Sequence, residues 1–159
     1  MPGHVSISSL LRSQLTKIYQ NINTKKPLAP FPSPVHSFTR VLTLAEVTAM
    51  HAAPLQLLPD LKNVTVRPID LSITGAGVFN NFTNFVLQDT NAAPVAVATL
   101  TLAAINAGRS FPATAGVTLG AGFQGGLTLG KGLAVRTSGG TAAGTGTSIT
   151  ITVLYEIVE

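Results

Sequence analysis

The chain has 159 residues, enough for one domain with its own core. Only 10% of them are charged, against about 25% in typical globular proteins, so the surface is either rich in Thr, Ser and Asn or covered by other subunits. There is no cysteine, which excludes disulfide bonds, thiolate zinc sites and a cysteine nucleophile.

The first part of the chain, residues 1–40, is predicted to be an N-terminal arm. Ser8 or Ser9 can cap a helix over about residues 10–22. The apolar residues of that helix fall on one stripe and are Leu11, Leu15, Ile18 and Ile22. Residues 23–35 carry four prolines, which favour an extended segment and exclude a helix or a central strand.

The basic charge of the chain is concentrated in this arm. The formal net charge is +4, yet five bases and no acid precede Val41, and the five bases and six acids that follow give 5 − 6 = −1. The bases of the arm are Arg12, Lys17, Lys25, Lys26 and Arg40. They are widely spaced and have few aromatic residues between them, unlike a typical nucleic-acid surface. We therefore expect the arm to lie on an acidic protein surface.

The apolar stripe of the arm helix needs a surface that buries it. The candidates are a partner protein, the chain's own domain and a membrane surface, and we favour a partner protein. The predicted docking residues are Leu11, Leu15, Ile18 and Ile22 for apolar contact and Arg12, Lys17, Lys25 and Lys26 for charge complementarity. No run approaches the ~18 apolar residues of a membrane span, and Arg12 and Gln14 interrupt any secretory signal, so we expect a protein made in a cytoplasm.

A β domain is predicted from Val41 to the end of the chain, residues 41–159. Thr43 and Glu46 have the spacing of a capping box, which predicts a short helix. Pro54 stops that helix, because the residue before a proline disfavours helical geometry. Residues 55–58 are then expected to be extended.

The apolar phase of the next strand slips by one residue. Its apolar residues before Arg67 point to one face and those after Pro68 to the other. They are Val64 and Val66, then Ile69, Leu71 and Ile73. A slip of one residue turns every later side chain over unless a bulge absorbs it. We predict a β-bulge at Arg67-Pro68, which lets both halves face one core.

The rest of the domain is predicted to consist of short strands between glycine turns. The expected strands are 82–88, 95–102, 117–119, 127–129, 133–136 and 148–158, with one helical turn at 103–108 and a Gly-rich loop at 138–146. Phe79, Phe82 and Phe85 are expected in the core or at a contact between subunits. In the last strand Ile149, Ile151, Val153, Tyr155 and Ile157 share one face. Many short strands and almost no helix predict a sandwich or barrel.

Two phosphate-binding motifs occur in incomplete form. Residues 120–125 match G-x-G-x-x-G, and residues 125–132 nearly match a P-loop, with Gly132 where a Ser or Thr should hold magnesium. Neither motif precedes a predicted helix, which a phosphate site needs. The three histidines lack metal-ligand spacing, and the carboxylates form no pair in the sequence. We therefore predict no catalytic residue, no cofactor site and no metal site.

Three stretches together resemble small all-β virion proteins of tailed bacteriophages. They are LTLAEVTAMHAAPLQLLP from Leu42, GKGLAVRT from Gly130 and SITITVLYEIV from Ser148. The resemblance runs from about Val41 to Val158 and rests on hydrophobic patterns and turns. It implies a jelly-roll-like β-sandwich, a trimer, and a place on the capsid or in the tail.

The resemblance leads to two hypotheses, neither of them enzymatic. In the first, the chain is a capsid decoration or cement protein whose arm docks on the major capsid protein or another virion protein. In the second, it is a tail or fibre component that recognises a host surface through loops such as 80–84 and 138–146. A small jelly-roll enzyme is a third possibility, disfavoured because no histidine and carboxylate cluster is evident.

Overall fold

The computed structural model describes residues 34–159, which form an all-β domain with two short helices. In chain order its elements are β1 (Val35–Thr43), α1 (Leu44–Ala49), β2 (Leu55–Leu58), β3 (Thr65–Ala76), β4 (Phe79–Asn80), β5 (Asn84–Asp89), β6 (Ala96–Thr101), α2 (Leu102–Asn106), β7 (Arg109–Ser110), β8 (Val117–Leu119), β9 (Leu133–Ser138), β10 (Ala143–Gly144) and β11 (Ser148–Val158). The predicted all-β class is confirmed.

The strands form two main antiparallel sheets. The four-stranded sheet has the order β1-β11-β3-β7, and the five-stranded sheet has the order β2-β9-β5-β6-β8. A separate short pair joins β4 to β10. Every pairing within these sheets is antiparallel.

One core lies between the two sheets, because alternate side chains of both pack into a single hydrophobic cluster. The four-stranded sheet contributes Leu42, Leu71, Ile73, Ile149, Ile151 and Val153, and the five-stranded sheet contributes Phe85, Leu87, Leu100, Leu133 and Val135. Phe79 and Phe82 are buried beside them. The core assignment of the three phenylalanines is confirmed.

The last strand, β11, occupies the bounds predicted for it and lies between β1 and β3. Its partner β1 begins at Val35, ahead of the domain boundary predicted at Val41. Residues 35–40 therefore belong to the sheet rather than to an arm. The physical reason is alternation: Phe38 and Leu42 face inward at spacing four, while Val41 and Thr43 are exposed.

The predicted β-bulge is confirmed in β3, with its extra residue slightly farther along than expected. Leu154 pairs with Asp70 and Tyr155 with Pro68, so Ile69 has no partner in β11. Val66 and Pro68 are buried before the bulge, and Leu71 and Ile73 after it. The bulge thus lets both halves of the strand face one core.

Local sequence signals explain both helices. Thr43 caps α1 in a complete capping box with Glu46, as predicted. Val47 and Met50, on the inner side of this helix, are buried. Thr101 caps α2 by accepting the amide of Ala104 at 3.3 Å.

The predicted strand at residues 127–129 is wrong. Thr128 accepts the backbone amide of Lys131 in a turn at 2.9 Å, and the amide of Thr128 itself donates to Asp89 at 3.0 Å. The segment is therefore a loop anchored to β5. Its alternating Leu-Thr-Leu pattern is too short to distinguish the two outcomes.

Candidate functional site

The arm residues predicted to dock a partner all lie outside the described residues: Leu11, Leu15, Ile18, Ile22, Arg12, Lys17, Lys25 and Lys26. The same holds for the predicted helix at 10–22 and for most of the proline-rich segment. Arg40, in contrast, is part of β1 and forms an ion pair with Glu46 at 3.0 Å. The described residues therefore have six bases and six acids, 6 − 6 = 0, and the four remaining bases precede them.

A cleft of about 330 Å³ opens on the outer side of the five-stranded sheet. Its lining consists of Pro54, Gln56, Asp60, Gln88, Asp89, Thr90, Asn91 and Ala134. Sequence reasoning missed this cleft, because its residues come from three strands and the turns beside them.

The register of three neighbouring strands builds the floor of the cleft. Gln56 of β2 pairs with Ala134 of β9, and Ala134 pairs on its other side with Gln88 of β5. Phe85 and Leu87 of β5 point into the core, so Gln88 points outward by alternation. Because the Ala134 side chain is only a methyl group and lies between two longer glutamines, it creates the depression that forms the cleft.

Gln88 is the most unusual residue of the cleft. Only 7% of it is exposed, and its side-chain amide makes no hydrogen bond to any residue from 34 to 159. The fully buried side-chain polar group that lacks a partner in the described chain is the Thr137 hydroxyl, not the Gln88 amide. The Gln88 amide faces the cleft as an unused donor and acceptor.

Asp89, next to Gln88, has a structural role. Its Oδ1 accepts the amides of Asn91 at 3.2 Å and Val95 at 2.9 Å, and its Oδ2 accepts the amide and hydroxyl of Thr128 at 3.0 and 2.5 Å. Burial raises the pKa of Asp89, but the hydrogen bonds from Thr128, Val95 and Asn91 outweigh it and hold the pKa below its usual value. The carboxylate is ionised and fully bonded.

The Asp60 carboxylate at the rim of the cleft also forms hydrogen bonds within the protein. It accepts the Thr90 hydroxyl and the Gly132 amide, which lower its pKa. Lys131 lies 3.9 Å away and compensates its charge. With the pKa values of Asp60 and Asp89 both lowered, neither carboxyl holds a proton to donate near neutral pH. Both carboxylates at the cleft are ionised hydrogen-bond acceptors.

Lys131 is the residue that gave the P-loop its resemblance, and its partner is Asp60. Strand β9 follows it, so the described chain has no helix N-terminus there for a phosphate. In the G-x-G-x-x-G stretch the Gly120 and Gly122 amides donate to Val97 and Ala96 of β6 at 2.9 and 2.8 Å. A Cβ at Gly120 would collide with the Ala96 carbonyl oxygen, so this glycine is needed for close packing.

The structure does bring together the two loops proposed for surface recognition. Strand β4 pairs with β10, and the Thr83 amide donates to the Ser138 carbonyl at 2.7 Å. Gly139 and Gly140 have positive φ and lie against Thr83 and Asn81.

A second notable surface is the outer face of the four-stranded sheet. In the middle of β1, β11 and β3 this face carries no charged side chain. Thr39 and Thr152 share a hydrogen bond between hydroxyls at 2.9 Å, and Val41, which is 56% exposed, pairs with Thr150. Charged residues border this area at Asp70, at the Arg67–Glu156 ion pair and at Arg109.

Other site types are not evident in the described part of the chain. Among residues 34–159 no three His, Asp or Glu side chains are grouped closely enough to hold a metal ion. His36 stacks on Tyr155 with ring centroids 5.4 Å apart. Neither described helix has the length and apolar character needed to cross a membrane.

Comparison with known proteins gives no family. No family model matches the chain, and no curated protein matches it either. The class of molecule that the fold defines is an all-β domain of two antiparallel sheets, and its function is argued from that geometry.

Proposed function

We propose that the chain is a non-enzymatic structural protein of a tailed-bacteriophage virion, a capsid decoration or cement protein with a jelly-roll-like sandwich. It is made in the host cytoplasm and acts in the virion. Its partner is the major capsid protein or another virion protein. It acts as a homo-oligomer, and a trimer is the form that we propose. No cofactor, membrane or nucleic acid enters this proposal.

The observation that carries the proposal is the nested order of the strands. The first main strand pairs with the last, β1 with β11. Moving inward along the chain, β2 pairs with β9, β3 with β7 and β5 with β6. Apart from the short β4–β10 pair, this is the pairing of one long antiparallel ribbon. Wrapping such a ribbon into two sheets produces a jelly roll, the architecture of many capsid domains.

The charge distribution supports attachment through the arm. The described domain is neutral, and all the excess positive charge precedes it, on Arg12, Lys17, Lys25 and Lys26. A basic segment with an apolar stripe can bind a neighbouring acidic surface by both charge and burial. Binding the assembled lattice but not free subunits stabilises that lattice by mass action.

One arm alone is expected to bind modestly. Full burial of four Leu and Ile side chains is worth roughly 1.5–3 kcal/mol each in transfer terms, and ordering the arm offsets much of this. Several arms in one oligomer act together and raise the overall affinity.

The experiment is re-attachment of purified protein to particles that lack it. A form without residues 1–34 should unfold at the same temperature as the full chain, because β1 stays intact, yet bind particles weakly or not at all. Changing both Leu15 and Ile18 to Asp should have nearly the same effect. Neutralising Lys25 and Lys26 should weaken binding mainly at low salt, where exposed charges are least screened.

The matched control is neutralisation of Arg136, an exposed base on the β domain, which should leave binding unchanged. Full occupancy of particles by the truncated form would exclude the arm as anchor. Counting copies per particle separates the two virion roles, since a decoration protein is present in hundreds of copies and a tail component in a few. A low count would favour the second candidate, a tail or fibre recognition module, for which the cleft beside Gln88 is the supporting observation.

A further inference from the structure

We propose that the cleft between Gln56, Gln88 and Ala134 is a binding site for a neutral, hydroxyl-rich ligand, one sugar unit of a glycan. The inference rests on the geometry of the cleft and is independent of the proposed attachment through the arm. It assigns the domain a recognition function besides a structural one.

The first step is the free hydrogen-bonding capacity of Gln88. Its side chain is nine-tenths buried, lines the cleft and has no hydrogen-bond partner in the described chain. Its amide is not one of the fully buried unpaired groups, so its donor and acceptor are open to the cleft. A polar ligand can pair with this amide without breaking any hydrogen bond within the described chain, which makes Gln88 suited to binding.

The second step is the charge of the site. The Asp89 carboxylate accepts four hydrogen bonds, from Asn91, Val95 and Thr128, which use the acceptor positions of its two oxygens. Asp60 is paired with Lys131 and bonded to Thr90 and Gly132. A cation would have to displace these bonds to coordinate either carboxylate. A neutral ligand fits better.

The third step is the pattern of donors and acceptors. The amides of Gln56 and Gln88 each offer a carbonyl acceptor and an NH₂ donor, and they lie on either side of Ala134. The one contact of the Gln56 amide, to Asp60, is long at 3.5 Å, so this side chain can turn to a ligand. Adjacent hydroxyls, each both donor and acceptor, match such a pair of amides.

The fourth step is shape. The volume of about 330 Å³ lies at the lower end of the roughly 300–1,000 Å³ of small-molecule sites, which suits one sugar ring. The Ala134 methyl and the Pro54 ring supply a small apolar surface for the C–H face of a sugar. An extended peptide segment would need a longer groove than this cleft.

The test uses the purified full chain and the methyl glycosides of glucose, galactose, mannose and N-acetylglucosamine as probes. Binding is measured by NMR titration of the side-chain amide signals of the glutamines. At least one probe should shift the Gln88 and Gln56 signals in a saturable way, while Gln124, an exposed glutamine outside the cleft, stays unchanged.

Three variants separate binding from folding. Gln88→Leu should lower affinity by at least about tenfold, because it removes an amide that pairs with the ligand, while the domain stays folded. Ala134→Leu should fill the cleft and lower affinity similarly. Gln56→Ala, at an exposed position, should weaken binding with no change in stability. Thr99→Leu, on the same sheet but not lining the cleft, is the matched control and should leave affinity unchanged.

The proposal is overturned if none of the four glycosides shifts the Gln88 signal at about 10 mM, a concentration that detects even weak binding. Saturable shifts from calcium, sialic acid or a short peptide without any from the neutral glycosides would overturn it as well. Retained affinity in Gln88→Leu would place binding elsewhere. Each of these results leaves particle attachment untouched, so failure here is distinct from failure of the proposed function.

Discussion

Asp89 ties the β5–β6 turn to the loop before β9, although the two segments are far apart in the chain. Changing Asp89→Asn keeps the shape but turns an NH₂ group toward amides and a hydroxyl that need acceptors. Because the site is buried, we expect a loss of about 3 kcal/mol in the free energy of unfolding. Urea unfolding measures it. The control is Asp70→Asn, an exposed carboxylate that accepts only the amide of Leu71; an equal loss there would refute the role of Asp89.

The same carboxylates predict how stability depends on pH. The pKa values of Asp89, Asp60 and Glu46 are lowered in the folded state, so the unfolded chain binds protons more readily. Their contribution is therefore complete above the unfolded pKa of about 4 and is lost as pH falls through the lowered folded values. Urea midpoints should be flat from pH 7 to about pH 5 and then decline. In Asp89→Asn the decline should be shallower, and an unchanged decline would count against this cause.

The sequence indicates the chemistry of single residues only where partners are close in the chain. The Thr43–Glu46 capping box could be predicted because both members lie within one helical turn. The role of Asp89 could not be predicted, because only the tertiary arrangement of strands and loops brings Thr128 to it. Gln88 gave one weak signal, a polar residue within an otherwise buried strand, but only its pairing with Ala134 shows what it faces.

Among the elements, β11 lies between β1 and β3 and buries three alternate residues in the core. Ile151→Ala should cost about 2–5 kcal/mol and Val153→Ala somewhat less, since each leaves a cavity in a packed interior. Urea unfolding of the two variants checks this. Thr150→Ala, on the outer face of the same strand, is the control and should cost well under about 1 kcal/mol.

Strong periodicity explains which elements the sequence could predict. The bounds of β11 and the bulge in β3 follow from alternation over many residues, which has few competing interpretations. The sequence predicts an arm up to Arg40, because prolines and basic charge dominate the residues before β1 and conceal an alternation that begins at Val35. The segment 127–129 shows the opposite error, a short alternation that a turn overrides.

At the scale of the whole molecule, strand order could not be derived from the sequence. The nested pairs join β1 to β11 and β2 to β9, and such contacts leave no local pattern. The sequence does predict a sandwich or barrel, because many short amphipathic strands have few other ways to bury one face each.

The last prediction concerns self-association through the outer face of the four-stranded sheet. Exposed Val41, half-buried Leu154 and the threonines between them form a charge-free area that a second copy of the chain can cover at little desolvation cost. We expect the protein to sediment as an oligomer, and specifically as a trimer, in sedimentation velocity at high protein concentration. Changing both Val41 and Leu154 to Glu should yield a folded monomer, because like charges then meet in the contact. Thr99→Glu, on the opposite sheet, should leave the oligomer intact. A wild-type monomer at high concentration, or an oligomer that survives the double substitution, would remove this face as the contact.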